Sequence, residues 1–171
     1  FSGSELNYAQ NLLKGDPDQI AIISIGENIS PKTLTFKELN HRVSSVQKGL
    51  SKLGVKKGTI VAGFVPNCAE TVISMLAVSS LGGVWTSCSP DFGANGVVDR
   101  FGQVNPHILI TSNGYSYNGK LFKLEEKVNG VLESIDSIRH IVEIEYVDIK
   151  SNFNHDSIIS FGDILNDEQT Q

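Results

Sequence analysis

The hydrophobic positions of the chain change period several times, and each change predicts an element. The clearest stretch is Phe36, Leu39, Val43, Val46, Leu50 and Leu53, which step by three and four. That spacing places one apolar stripe on a helix. Lys37, His41, Lys48 and Lys52 fall off the stripe. Thr35 with Glu38 forms a capping box at the start, where each side chain satisfies a backbone N–H. Gly54 supplies the stop.

Short continuous apolar runs alternate with such helices. Ile20–Ser24 reads as a strand, 26–32 as a loop, and Thr33–Thr35 as a short returning strand, so the pair forms a hairpin with a long turn. Thr59–Val65, Val84–Cys88, Ile108–Thr111 and Ile141–Ile144 read as strands buried on both faces. Between them, 67–81 is predicted helical, with Asn67 and Glu70 as its cap signal, and it is apolar on most sides. Residues 94–104 and 120–135 complete the helices, the latter on Leu121, Leu124, Val128, Val131, Leu132 and Ile135. A short helix is expected over 7–13, ended by Gly15-Asp16-Pro17-Asp18. The alternation predicts an α/β fold, a mostly parallel sheet flanked by helices. Residues 1–18 read as a lead-in, 19–150 as the αβ core, and 151–171 as a loop, a short strand and helix over 158–165, and a frayed tail.

Composition narrows the class. The 171 residues are 40% hydrophobic and 19% charged, as in a soluble globular domain. A net charge of −5 gives no basic excess for nucleic acid or an anionic membrane. The uncharged run 71–90 holds too many Ser, Thr and Gly residues for a membrane span. Cys68 and Cys88 lie in apolar stretches, which favours a reducing, cytoplasmic setting over a disulfide framework. The chain begins at Phe1, and the expectation is a fragment or a trimmed product.

No self-contained active site is visible. Gly-rich dinucleotide and phosphate-loop fingerprints are absent, as is a nucleophile elbow. The four histidines, His41, His107, His140 and His155, lack metal-ligand spacing. One loop stands out. Ser87-Cys88-Ser89-Pro90-Asp91-Phe92-Gly93 joins an apolar strand to a helix, with Ser89 as a candidate cap and Pro90 at the first helical position. Such a turn either does capping work alone or presents backbone N–H groups to an anion or a ligand edge.

Several runs carry a family resemblance. Residues 5–13 resemble the "LNYAENLL" segment of the acetyl- and acetoacetyl-CoA synthetase branch of the adenylate-forming acyl-CoA synthetases. Leu34-Thr35-Phe36-Lys37-Glu38-Leu39 resembles their "LTYxEL" helix start, and Val65-Pro66-Asn67 their "PN" turn. Three more selective runs point to the acetoacetate-type branch. Residues 85–93 are similar to "WSSxSPDFG", 98–106 to "LDRFxQIxP", and Tyr117-Asn118-Gly119-Lys120 to "YNGK".

The resemblance implies the N-terminal portion of an AMP-binding domain in an acid–CoA ligase. Such an enzyme converts acetoacetate, ATP with Mg2+, and CoA to acetoacetyl-CoA, AMP and pyrophosphate through an acyl-adenylate. It implies a cytoplasmic role in lipid metabolism and ketone-body use. The family's phosphate loop and catalytic lysine are expected beyond Gln171, so this chain alone is expected to be inactive. The residues carried over are for CoA. The loop Ser89-Pro90-Asp91 is placed beside the adenine and Lys120 near the 3′-phosphate, while Tyr117 stands where the family has a second basic residue. A solvated position at a helix start is the other reading of Lys120. The alternative for the whole chain is a stand-alone, non-catalytic α/β module that binds CoA or a partner protein.

Overall fold

The computed structural model describes residues 2–3 and 5–166. Its centre is a parallel sheet whose three inner strands are mostly buried. Strands β3 (Ile60–Phe64), β4 (Val84–Cys88), β5 (Ile108–Ser112), β8 (His140–Ile144) and β9 (Ile158–Ser160) form it in the order β4-β3-β5-β8-β9. All four pairings are parallel. The chain passes from β3 to β4 on one side, then crosses to β5 on the other. Such a reversal leaves a crevice beyond the carboxyl ends of the strands.

Successive residues of each strand serve opposite faces, as the pleat requires. Val61, Ile108, Ile110, Val142 and Ile144 join one core with α2 (Phe36–Lys52), α3 (Ala69–Ser80) and α6 (Phe161–Asn166). Ala62, Phe64, Leu109 and Ile141 join a second core with α4 (Ala94–Gly102) and α5 (Glu125–Ser134). Leu50, Ile73, Phe101, Ile108 and Ile141 are wholly buried, and each such side chain contributes roughly 1.5–3 kcal/mol.

The apolar stripe predicted from Phe36 onward becomes α2, and the capping box forms. Glu38 N donates to Thr35 Oγ1 at 3.2 Å, and Thr35 N donates to the Glu38 carboxylate at 2.8 Å. Gly54 follows with φ +89°, the left-handed geometry that ends the helix. Short α1 (Tyr8–Leu12) is capped by Asn7, whose amide also donates to Ser79 O at 3.0 Å and ties the lead-in to α3.

Four local expectations need correction. The 26–32 loop is mostly strand. β1 (Ile20–Gly26) and β2 (Ile29–Thr35) pair up to Gly26↔Ile29, leaving Glu27 and Asn28 as the turn. Asn28 tolerates the positive φ of 59° that so tight a turn requires. Asn67 does not cap α3. Cys68 is the N-cap and makes no side-chain cap bond, while Thr71 Oγ1 donates to Pro66 O at 2.7 Å. Ser89 does not cap α4 either. The chain turns first, with Phe92 N donating to Ser89 O at 3.2 Å, and the helix starts after Gly93.

The fourth correction concerns 120–135. Helix α5 occupies only its second half. The first half pairs back in a hairpin, β6 (Gly114–Tyr117) with β7 (Lys120–Lys123). Asn118 and Gly119 sit between them with φ 49° and 72°. Two positive φ values in succession suit the twist of a two-residue hairpin, and Asn-Gly is the preferred pair for it. The expected tail over 166–171 falls outside the described residues after Asn166. Among the described residues no helix is long and apolar enough to cross a membrane.

Candidate functional site

The crevice beyond the strand ends is built from segments far apart in sequence. Pro66 and Asn67 leave β3, Ser89, Pro90 and Asp91 leave β4, Tyr115, Ser116 and Tyr117 lie on β6, and Tyr146 follows β8. Together they line a cleft of ≈ 410 Å³. Four of the five residues singled out from the sequence therefore meet here: Ser89, Pro90, Asp91 and Tyr117.

Lys120 does not line the cleft. It is the first residue of β7, directly opposite Tyr117. This corrects the reading of Lys120 as a helix-start residue. Directly paired residues project to the same face of a hairpin, with Cβ atoms roughly 4.5–5.5 Å apart. Tyr115 shares that face with Tyr117 and stacks on its own partner Phe122, ring centroids 5.1 Å apart and 15° between planes. The hairpin thus presents two tyrosines, a phenylalanine and an exposed ammonium on one face.

The loop after β4 is held from below. Lys127 Nζ on α5 donates to Pro90 O at 2.8 Å and lies 6.0 Å from the Tyr115 ring centroid. The Arg100 guanidinium sits 4.4 Å over the Phe92 ring, an attraction between cation and ring face. These contacts occupy the cations of α4 and α5 with the loop itself. Lys120 stands outside the cleft lining, on the hairpin face that it shares with Tyr117.

A buried asparagine fixes the far wall. Asn113, just after β5, donates through Nδ2 to Val147 O (2.7 Å) and Ile149 O (2.8 Å). Its Oδ1 accepts from Tyr146 N (3.0 Å) and Val147 N (3.1 Å). All its side-chain capacity is used in shaping the chain after β8, which carries Tyr146 into the cleft. Asn113, Tyr115 and Tyr146 were not singled out from the sequence. Their roles depend on contacts between distant segments, which no local pattern reports.

Ionisation in the cleft is held back. Burial raises the Tyr115 phenol pKa, and the Asp91 carboxylate raises it further. Burial also raises Tyr146, helped by Cys68 and Glu70. Both phenols stay neutral near pH 7 and keep a hydroxyl hydrogen to donate. Cys88, at the end of β4, is raised by burial against the opposing pull of Arg100. It is a buried free thiol, as is Cys68.

The cleft therefore offers flat aromatic surface, hydroxyl and amide groups, one carboxylate, and a cation at its rim. That set fits a planar heterocycle with a nearby phosphate better than it fits bond-breaking chemistry. Among the described residues no three His, Cys, Asp or Glu side chains come together to hold a metal ion. No role for Mg2+ is assigned to this chain.

Comparisons with known proteins agree with this topology. The family of AMP-binding enzymes matches residues 10–162. An acetoacetyl-CoA synthetase of Xenopus tropicalis is 43% identical over 151 residues, covering 86% of this chain and 22% of that protein. One from Rhizobium meliloti (strain 1021) is 43% identical over 142 residues, covering 83% and 22%. The solved structure of the acetoacetyl-CoA synthetase from Streptomyces lividans superposes with a TM-score of 0.87 at 35% identity. It covers 94% of this chain and 25% of that one. The chain thus spans about a fifth of the length of these relatives.

Proposed function

Because the chain belongs to the family of AMP-binding enzymes, we propose that it forms the CoA-side wall of an ATP-dependent acid–CoA ligase acting on acetoacetate. In this reading residues 1–171 are the N-terminal portion of the AMP-binding domain. The carboxylate of acetoacetate attacks the α-phosphorus of ATP and releases pyrophosphate. The CoA thiol then attacks the acyl carbon of the adenylate and AMP leaves. ATP·Mg and the acyl group are handled by residues outside this chain, which on its own is inactive. The working compartment is the cytoplasm.

One observation carries the assignment of CoA to this chain. The cleft at the strand ends brings Ser89, Pro90, Asp91 and Tyr117 together, with Lys120 paired to Tyr117 on the same hairpin face. Ser89, Pro90 and Asp91 are assigned to the edge of the CoA adenine, and Tyr117 to its flat face. Lys120 is assigned to the 3′-phosphate. A lysine ammonium suits that task as a compact point charge. Tyr117 adds a neutral donor where a second cation would bind the phosphate more tightly.

The test uses the full-length protein with ATP, magnesium, CoA and acetoacetate. Acetoacetyl-CoA, AMP and pyrophosphate are expected in equal amounts, with acid-dependent pyrophosphate exchange into ATP when CoA is omitted. Release of ADP and phosphate, or acid-independent turnover, would overturn the assignment.

A further inference from the structure

The turn that carries Tyr117 and Lys120 does not stand free. Asn118 N donates to Glu27 at 2.8 Å, and Gly119 N donates to the other oxygen of the same carboxylate. Glu27 lies in the turn between β1 and β2, 91 residues earlier in the chain. Two successive backbone N–H groups at positive φ form a concave donor pair, which suits an anion. Here the anion is a side chain of the protein itself.

The consequence is mechanical. Among the described residues β6 and β7 have only each other as sheet partners, since their sheet is a separate two-stranded one. Such a ribbon is marginal without support. At its base Asn113 N donates to Ile144 O at 3.2 Å, which anchors the ribbon to the end of β8 in the main sheet. At its tip the hydrogen bonds to Glu27 anchor it to the first hairpin. The tip is where Tyr117 and Lys120 stand.

We infer that Glu27 is a positioning residue for CoA: its carboxylate clamps the Asn118–Gly119 turn and so fixes Tyr117 and Lys120 at the cleft rim. The inference rests on the CoA reading given under Proposed function. Glu27 itself touches no ligand. A bond from an ionised acceptor is about twice as strong as a neutral one, so the clamp weakens when the charge is removed and disappears when the side chain is removed.

The experiment compares Glu27→Gln, Glu27→Ala, Lys120→Ala and the Glu27→Gln/Lys120→Ala pair in the full-length protein. The readouts are the KM for CoA, the rate of acid-dependent ATP–pyrophosphate exchange, and the melting temperature. Glu27→Ala removes both bonds and is expected to raise the KM for CoA by at least about tenfold, the scale of a single charge-assisted hydrogen bond. Glu27→Gln, which keeps an acceptor, is expected to raise it less. In both variants the exchange rate should change far less than KM. In the Lys120→Ala background Glu27→Gln should add less than it does alone, because the part of the clamp's effect carried by that lysine is already lost.

Additive effects, or equal losses in KM and exchange with a falling melting temperature, would overturn the inference and leave Glu27 a folding residue. A lower KM in Glu27→Gln would overturn it too, since the carboxylate would then be repelling the phosphate. If Lys120→Ala raises KM and the Glu27 variants do not, the clamp fails while the CoA reading stands. If Lys120→Ala leaves KM unchanged, the CoA reading itself fails.

Discussion

Tyr117 and Lys120 face each other across a hairpin whose two linking residues, Asn118 and Gly119, both have positive φ. The pairing places the ammonium beside the cleft, and it depends on a backbone shape that few residues accept. A Cβ at Gly119 would meet nothing within 4 Å, so Gly119→Ala tests strain alone. Its expected cost is about 1–2 kcal/mol, the penalty for an L side chain in the left-handed region. Asn118→Gly should be tolerated. Thermal melts of both variants check this, and equal melting temperatures for Gly119→Ala and the parent would contradict it.

Two glycines should respond in opposite directions to the same substitution. At Gly114 a Cβ would lie 2.5 Å from the Phe122 carbonyl oxygen and 3.0 Å from Ile149 Cδ1. A backbone atom cannot step aside, so Gly114→Ala should cost about 1–3 kcal/mol and loosen the base of the β6–β7 hairpin. Gly130 lies inside α5, and a Cβ there would find only the Ala94 Cβ at 3.7 Å. Gly130→Ala should therefore gain about 0.5–1 kcal/mol from helix propensity. Denaturant midpoints would show the two shifts, and a shared sign would be inconsistent with these contacts.

Acid should weaken the amino-terminal end of strands β5 and β8, away from the cleft. His107 and His140 rings meet edge to face, 5.8 Å apart, and His140 Nδ1 lies 2.7 Å from Ser157 Oγ. Burial lowers the His140 pKa from its ordinary 6.5, and the charges of His107 and His155 lower it further. A depressed histidine favours the folded state above its unfolded pKa. That stability is fully present above about 6.5 and is lost as pH falls through the lower folded value. Melting temperatures at pH 7.5 and 5.5 should differ less in His140→Gln than in the parent. An unchanged difference would locate the acid sensitivity elsewhere.

The isolated 171-residue chain should associate with itself. Leu6 is 92% exposed, Ile25 72% and Ile23 63%, and the outer strands β4 and β9 expose Val84 and Ile158. Open strand edges beside apolar side chains template pairing with another chain. Sedimentation velocity over a range of concentrations should show growing species. A concentration-independent monomer with a sharp cooperative melt would contradict this.

What the sequence revealed follows from how local each signal is. The stripe from Phe36 to Leu53 and its Thr35–Glu38 box lie within one helix, and both form as read. The parallel sheet was legible because its inner strands β3, β5 and β8 are mostly buried and read as apolar runs. The β6–β7 hairpin was not, because Leu121 and Leu124 lie three apart and extend the helical period of α5 backward. The Asn118-Gly119 pair was the counter-signal. The cap at Asn67 failed because the helix starts one residue later, after Cys68, and the cap at Ser89 failed because the chain turns once more before α4 begins. The cleft was legible only in part. Ser89, Pro90, Asp91 and Tyr117 came from motif resemblance, whereas Tyr115, Tyr146 and the Glu27 clamp depend on folding that brings distant segments together.

The most direct test of the CoA assignment is the preference of the full-length protein for CoA over 3′-dephospho-CoA. The parent should show a lower KM for CoA by about tenfold, as expected for one phosphate–ammonium contact. In Lys120→Ala that preference should vanish, with the two KM values converging on the dephospho-CoA value. If Lys120→Ala keeps the parent's preference, the 3′-phosphate is bound elsewhere and the hairpin face is not the CoA site.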